Sequence, residues 1–316
     1  MRTYERIGQE LGADESSLSA LVALYGRMEN WPLEAQTLEA LAERREGKVA
    51  IDLLHQAAAI WEQRAADQEQ LNRLLLAAYE RFPEDSRTTE RLKTHLAAQG
   101  DYSGLASVLA DELAGPVANG ERLALLRTIS DLYRDKLEDP AAAAHYLEQA
   151  MSVDPDDRGV LVPLCDLYIA AGRQQDAVPI LRQIIQGFGR QRGKDLAQHQ
   201  HRLGNALEAA GDLLGALEAY DAAFKIDLTN VAILRDLGKL THSQGDLDRA
   251  QKSFRALLLQ KLEPSSGIEK ADVYYYLGDI AAKQGDTRKA ITMLERSLAE
   301  DRSHQDAGQL LTELKG

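Results

Sequence analysis

Three stretches in the C-terminal half of the chain place their apolar and small residues in one order. They are Arg202-Leu-Gly-Asn-Ala-Leu-Glu-Ala-Ala-Gly-Asp, Asp236-Leu-Gly-Lys-Leu-Thr-His-Ser-Gln-Gly-Asp and Tyr276-Leu-Gly-Asp-Ile-Ala-Ala-Lys-Gln-Gly-Asp. Each reads Leu-Gly and then, seven residues on, Gly-Asp. The leading glycines, Gly204, Gly238 and Gly278, are 34 and 40 residues apart. Twelve residues after each comes an alanine (Ala216, Ala250, Ala290), and four later a large residue (Tyr220, Phe254, Leu294). Self-similarity at a period near 34 predicts an array of repeated units rather than one irregular core. The last stretch, from Gln305, sets Leu310, Leu311 and Leu314 on one face and predicts a capping helix. Near the start, Tyr4, Ile7 and Leu11 precede Gly12 and read as one more amphipathic helix.

The same phase runs upstream with more drift. Segment 158–191 has Leu161, Leu164, Cys165, Tyr168, Gly172, Ala177 and Leu181 in equivalent places. Segment 124–157 has Ala143, Leu147, Ala150 and Pro155, and segment 86–119 has Leu92, Leu96, Gly100-Asp101, Leu105 and Leu109. Segment 52–85 has Ala58, Leu71, Leu75, Ala78 and Pro83, and segment 16–47 has Val22, Ala35 and Ala42 with a turn at Asn30-Trp31-Pro32. Extra residues near Gly187–Gly193 and Glu263–Gly267 read as lengthened turns, and Ala114–Gly120 as a breaker cluster and candidate hinge.

This pattern resembles the tetratricopeptide repeat (TPR) family, over nearly the whole chain. The resemblance implies an all-α, right-handed α-solenoid of about eight helix-turn-helix units with a C-terminal cap helix. It is expected as one array over 1–316, with weakly matching units in 1–115, better ones in 116–304 and the cap at 305–316. The small residues at Gly204 and Ala216 and their equivalents then lie where the two helices of a unit cross, and the Gly-Asp pair ends one helix and caps the next.

Composition narrows the chemistry. Hydrophobic residues make up 44% of the 316, mostly Leu and Ala, and aromatics 5%, which favours helix over strand. The formal charge is −13, from 37 Lys+Arg and 50 Asp+Glu. That balance opposes nucleic acid and anionic membrane surfaces as partners. Cys165 is the lone cysteine, so an internal disulfide and a multi-thiolate zinc site are excluded, and a cytoplasmic location is expected. No apolar run approaches membrane-spanning length, and the first residues, Met1-Arg-Thr-Tyr-Glu-Arg, carry no signal-peptide core.

Enzyme signatures are absent, and no cofactor or metal is expected. His199 and His201 point to different sides of a helix and read as solvated surface residues. Gly187 to Lys194 glances at a phosphate loop, but Phe188 stands where its first glycine belongs and Asp195 replaces the hydroxyl residue. Ile7 to Leu21 superficially resembles a helix-turn-helix, yet its second helix would begin Asp14-Glu15, which repels phosphate.

Binding remains. The resemblance implies that the first helix of each unit lines a concave groove. In the C-terminal units it places His201, Asn205, Arg235, Lys239, His242 and Tyr275 there, a basic and aromatic set matching a peptide or partner protein with acidic groups. The plainer alternative pairs Arg235 and Lys239 with Asp236, Asp272 or Asp279 as a solvated face. The family's carboxylate clamp is matched only at Asn205; His201, Asp236, Asp272 and Tyr276 stand at its other places, and Arg87 and Arg91 lack companions. A second basic cluster, Arg182, Arg190, Arg192, Lys194 and Arg202, surrounds the 187–193 insertion as either a solvated loop or a contact for an acidic partner. Three functions stay open: a non-catalytic interaction scaffold, an accessory portion of a longer protein or enzyme, and an array that self-assembles into homo-oligomers.

Overall fold

A computed structural model describes residues 14–316. The amphipathic helix expected around Tyr4, Ile7 and Leu11 lies outside them. Among the described residues there are seventeen α-helices, one short 3-10 turn and no strand. The chain packs as two compact units, the first ending at Asp139 and the second spanning Pro140–Gly316.

The first unit contains α1 (Glu15–Arg27), α2 (Trp31–Glu43), α3 (Gly47–Gln63), α4 (Gln68–Arg81), α5 (Ser86–Gln99), α6 (Tyr102–Ala114) and α7 (Asn119–Asp135). Connections of a few residues force consecutive helices into antiparallel neighbours. The turns carry their own starts and stops. Asp14, Asn30, Asp67, Asp85 and Asp101 each accept a backbone N–H in the first turn of the following helix. The expected turn at Asn30-Trp31-Pro32 is one of these: Asn30 caps and Pro32 sits in the first turn, where its missing N–H costs nothing. The core gathers Leu38, Ala57, Ala58, Trp61, Leu71 and Leu92. Trp61 is almost fully buried, and its indole N–H donates to Glu39 at 2.7 Å, so burial leaves no unpaired donor. The 114–120 breaker cluster separates α6 from α7 within this unit.

The second unit contains α8 (Pro140–Val153), α9 (Arg158–Ala170), α10 (Gln174–Gln186), α11 (Lys194–Ala209), α12 (Leu213–Ile226), α13 (Val231–Ser243), α14 (Leu247–Leu257), α15 (Lys270–Lys283), α16 (Thr287–Glu300) and α17 (Gln305–Lys315). Here the Gly-Asp turns do what their chemistry requires. Gly211, Gly245 and Gly285 sit at φ near +80°, a left-handed conformation that costs glycine little and other residues more. The aspartates that follow accept the N–H groups of Gly215, Arg249 and Lys289.

The helix crossings behave as the repeat pattern requires. Ala216, Ala250 and Ala290 are completely buried. A Cβ on Gly204 would lie 2.3 Å from the Tyr220 ring, on Gly278 2.9 Å from Leu294, and on Gly238 3.1 Å from Phe254. Cys165 is fully buried, and burial pushes its thiol up to about 11, which keeps it protonated and unreactive. The 263–267 insertion is a 3-10 turn, Pro264–Ser266, ending at left-handed Gly267. The expected cap helix is α17; its Ala307 is fully buried.

Candidate functional site

In the second unit, the first helices of successive pairs are α9, α11, α13 and α15, followed by α17. Side chains on these helices link one to the next. Arg202 on α11 pairs with Asp166 on α9. His201 on α11 reaches Asp236 on α13 at 2.7 Å, and Arg235 grips the same carboxylate through two nitrogens at 2.6 and 2.8 Å. His242 on α13 reaches Asp279 on α15 at 2.5 Å, where Lys283 also lands at 2.7 Å. His304, the residue capping α17, lies 3.4 Å from Asp272 on α15. The Arg202–Asp166, His201–Asp236, His242–Asp279 and His304–Asp272 partners stand about one repeat apart in sequence, so each of these pairs ties a unit to its successor.

The carboxylates respond to this arrangement. Burial alone would raise the Asp236 pKa, but the His201 hydrogen bond and the Arg235 guanidinium outweigh it and hold the pKa below the usual carboxylate range. Asp279 is depressed in the same way, with His242 and Lys283 overcoming burial. Both therefore remain charged and available to hold their partners.

The six residues singled out from sequence thus have definite surroundings. Arg235 also donates to the Ser266 carbonyl at 2.7 Å, fastening the 263–267 insertion to α13. His201 and Arg235 share Asp236, as the plainer reading of this face has it for Arg235. Tyr275 lies between the rings of Tyr276 and His304, at 5.4 and 5.1 Å. Asn205 is exposed, 2.7 Å from the Tyr220 hydroxyl. Lys239 is half-buried and makes no ion pair with the acids proposed for it. The set does not form one uncompensated basic patch; most of its charge is neutralised internally.

Between α9 and α11 opens a hollow of about 360 Å³, lined by Asp166, Ile169, Gln174, Arg202, Asn205, Ala206 and Ala209. Arg202 belongs to this hollow rather than to the rest of the second basic cluster. Sequence reasoning missed Asp166, Ile169 and Lys283. A charged pair repeated at the unit length was the signal available for the first.

Elsewhere the candidate chemistry is absorbed structurally. Arg91 binds Glu62 at 2.6 Å and the His55 carbonyl, and Arg87 lies 3.8 Å from Asp52. His199, expected at the solvated surface, is half-buried against Phe188 at 5.7 Å, and burial lowers its basicity. Gly187–Gly193 is a turn ahead of α11 with no strand before it. Among the described residues no three His, Cys, Asp or Glu side chains gather as a metal site requires, and no helix is long and apolar enough to cross a membrane.

Sequence profiles described as tetratricopeptide repeat match residues 136–197, 201–267 and 235–305. This chain belongs to the tetratricopeptide repeat family. No curated protein matches it. Among solved structures, the TPR fold here is similar to YrrB, described as a TPR protein with an unusual peptide-binding site, at 18% identity and a TM-score of 0.50; the match covers 61% of this chain and 93% of that one. It is also similar to a chain of the Naa15/Naa10 complex bound to HypK-THB, at 15% identity and a TM-score of 0.55, over 83% of this chain and 38% of that one. At such identities the likeness concerns the fold.

Proposed function

We propose that this TPR protein is a non-catalytic interaction scaffold. Its second unit holds a peptide or a partner's extended segment along the face of α9, α11, α13 and α15. One observation carries this reading: the face combines an open hollow with apolar floor and polar rim with a framework already cross-braced by its own ion pairs. A braced face loses little freedom on binding, which is where affinity is otherwise spent. Because Asp166, Asp236 and Asp279 neutralise most of its cations, recognition rests on shape and hydrogen bonds from Asn205 and Gln174. Lys239 is the one cation of the set left to meet a ligand carboxylate. The buried, protonated Cys165 is in keeping with a cytoplasmic home.

The test is a peptide-display selection against the full chain, followed by titration of the selected peptides. Asn205→Arg and Lys239→Glu should each weaken binding about tenfold or more, as truncating or reversing a contact at an interface commonly does. Helicity should stay unchanged by circular dichroism. Selected peptides that bind both variants as tightly as the wild type would remove the assignment to this face.

A further inference from the structure

The 187–193 insertion builds a second surface away from that face. Phe188 is its anchor. The Arg158 guanidinium stacks over the Phe188 ring at 3.9 Å, and the His199 ring tilts against it at 5.7 Å. Burial lowers the basicity of His199, so the anchor carries a neutral ring on one side and a fixed cation on the other. The turn is closed by its own backbone: the N–H groups of Phe188, Gly189 and Gln191 donate to Ile185, Gln186 and Phe188 at 2.9–3.1 Å. The insertion is an organised element.

Two hollows flank it and share Gln186 on their walls. One, of about 730 Å³, carries Arg158 and Arg182 above Leu161, Pro179 and Ile184. The other, of about 500 Å³, carries Arg192 and Lys225 above Leu196 and Ile226. All four cations are exposed, and among the described residues none is within ion-pair distance of a carboxylate. Arg190 and Lys194 stand exposed beside them. The acid on the walls, Asp156, accepts the Gln183 amide at 3.0 Å. Elsewhere in the second unit, Arg173, Arg202, Arg235 and Arg249 each hold an aspartate. The cations around the insertion make no such pair, and they gather on one surface of a chain whose net charge is −13.

We propose that this surface docks an acidic segment of a partner protein, one that alternates carboxylates with aliphatic side chains. The rims supply the charges and the floors the apolar contact. A short segment feels mainly the local cations, because charges beyond roughly 8 Å are screened at physiological ionic strength. A long polyanion or an anionic membrane meets the acidic remainder of the protein and is repelled. Arg158 and Arg182 present planar forks that take a carboxylate through two hydrogen bonds.

The experiment uses the full chain and a fluorescein-labelled peptide of mixed glutamate and leucine, followed by anisotropy. A lysine-for-glutamate peptide is the control, with inorganic polyphosphate and phosphatidylserine vesicles as rival anions. The glutamate peptide should bind, weaken with added salt, and lose about tenfold or more in Arg182→Glu/Lys225→Glu, since reversing charge across an interface is costly. Both residues are exposed, so the fold should survive, as circular dichroism would show. Arg302→Glu, at an exposed cation between α16 and α17, should leave this affinity unchanged. Absence of glutamate-peptide binding, equal binding by the double variant, or an equal loss in Arg302→Glu would overturn the proposal. So would tighter binding of polyphosphate or vesicles than of the peptide.

Discussion

The Tyr220 ring lies where a side chain on residue 204 would have to be. A Cβ at Gly204 would come within 2.3 and 2.4 Å of two ring carbons, closer than such atoms approach. The ring is not free to retreat, because its hydroxyl is 2.7 Å from both Glu208 and Asn205 on the same helix as Gly204. Burial and the Glu208 carboxylate push the phenol's pKa far above its ordinary value, so it stays protonated and bonded. The α11–α12 crossing is thereby set by one missing methyl group.

Gly204→Ala should lower stability by about 1–3 kcal/mol, the usual cost of overpacking a tight site. Gly238→Ala should cost least of the three equivalent changes. Its Cβ would stand 3.1 Å from Phe254, and replacing a helical glycine by alanine recovers up to about 1 kcal/mol. Gly278→Ala, at 2.9 Å from Leu294, should fall between. Denaturant midpoints of the three variants check this order; equal midpoints would refute it.

Gly267 and Arg235 form a second such relationship. Gly267 has φ +65°, and a Cβ there would lie 2.7 Å from the Arg235 guanidinium. Gly267→Ala should cost about 1–2 kcal/mol from left-handed strain alone. It should also disturb the bond from Arg235 to Ser266. Protease nicking of the 258–269 connection should rise in both Gly267→Ala and Arg235→Ala. Nicking confined to other loops would show that Arg235 does not fasten this segment.

Asp236 and Asp279 make the second unit sensitive to acid. Their folded pKa values lie below the ordinary aspartate value, so the folded state favours the charged form. Their contribution is fully present above about pH 4, the ordinary aspartate value, and is lost as pH falls through the depressed folded values. Asp236→Asn should cost about 1.5–3 kcal/mol at neutral pH, the scale for hydrogen bonds to charged groups. The gap between variant and wild type should shrink toward pH 3. A gap that widens in acid would contradict the assigned direction.

Cys165 should report global opening. Its thiol is buried and held protonated, so a disulfide exchange reagent should react with the native chain far more slowly than with the denaturant-unfolded chain. Comparable rates in the two states would mean that α9 opens locally.

The repeated positions were readable from order alone. A small residue at Gly204, Gly238 or Gly278, an alanine twelve on and a Gly-Asp turn between them describe local chemistry that each unit satisfies with its own residues and its neighbour's. The same holds for the capping aspartates, whose partners lie two or three residues away. A solenoid rewards such reading because its contacts join segments near in sequence.

The charges on the α9, α11, α13 and α15 face were legible as residue types but not as a site. Arg235 looks like a ligand-binding cation until Asp236 and the Ser266 carbonyl are placed around it. Lys239, one turn further on, keeps its charge free. Arg202 looks like a member of the insertion cluster until α11 turns it toward Asp166. Phe188 and Arg158, thirty residues apart, meet only because the insertion folds back over the start of α9. The sequence by itself determined the repeat period, the Gly-Asp turns and the small residues at the crossings of the last three units, because these are enforced within one or two units. Only the tertiary structure decided which charges cancel and which remain. That outcome depends on distances of a few ångströms between neighbouring units, and a Coulomb interaction has no sequence period of its own.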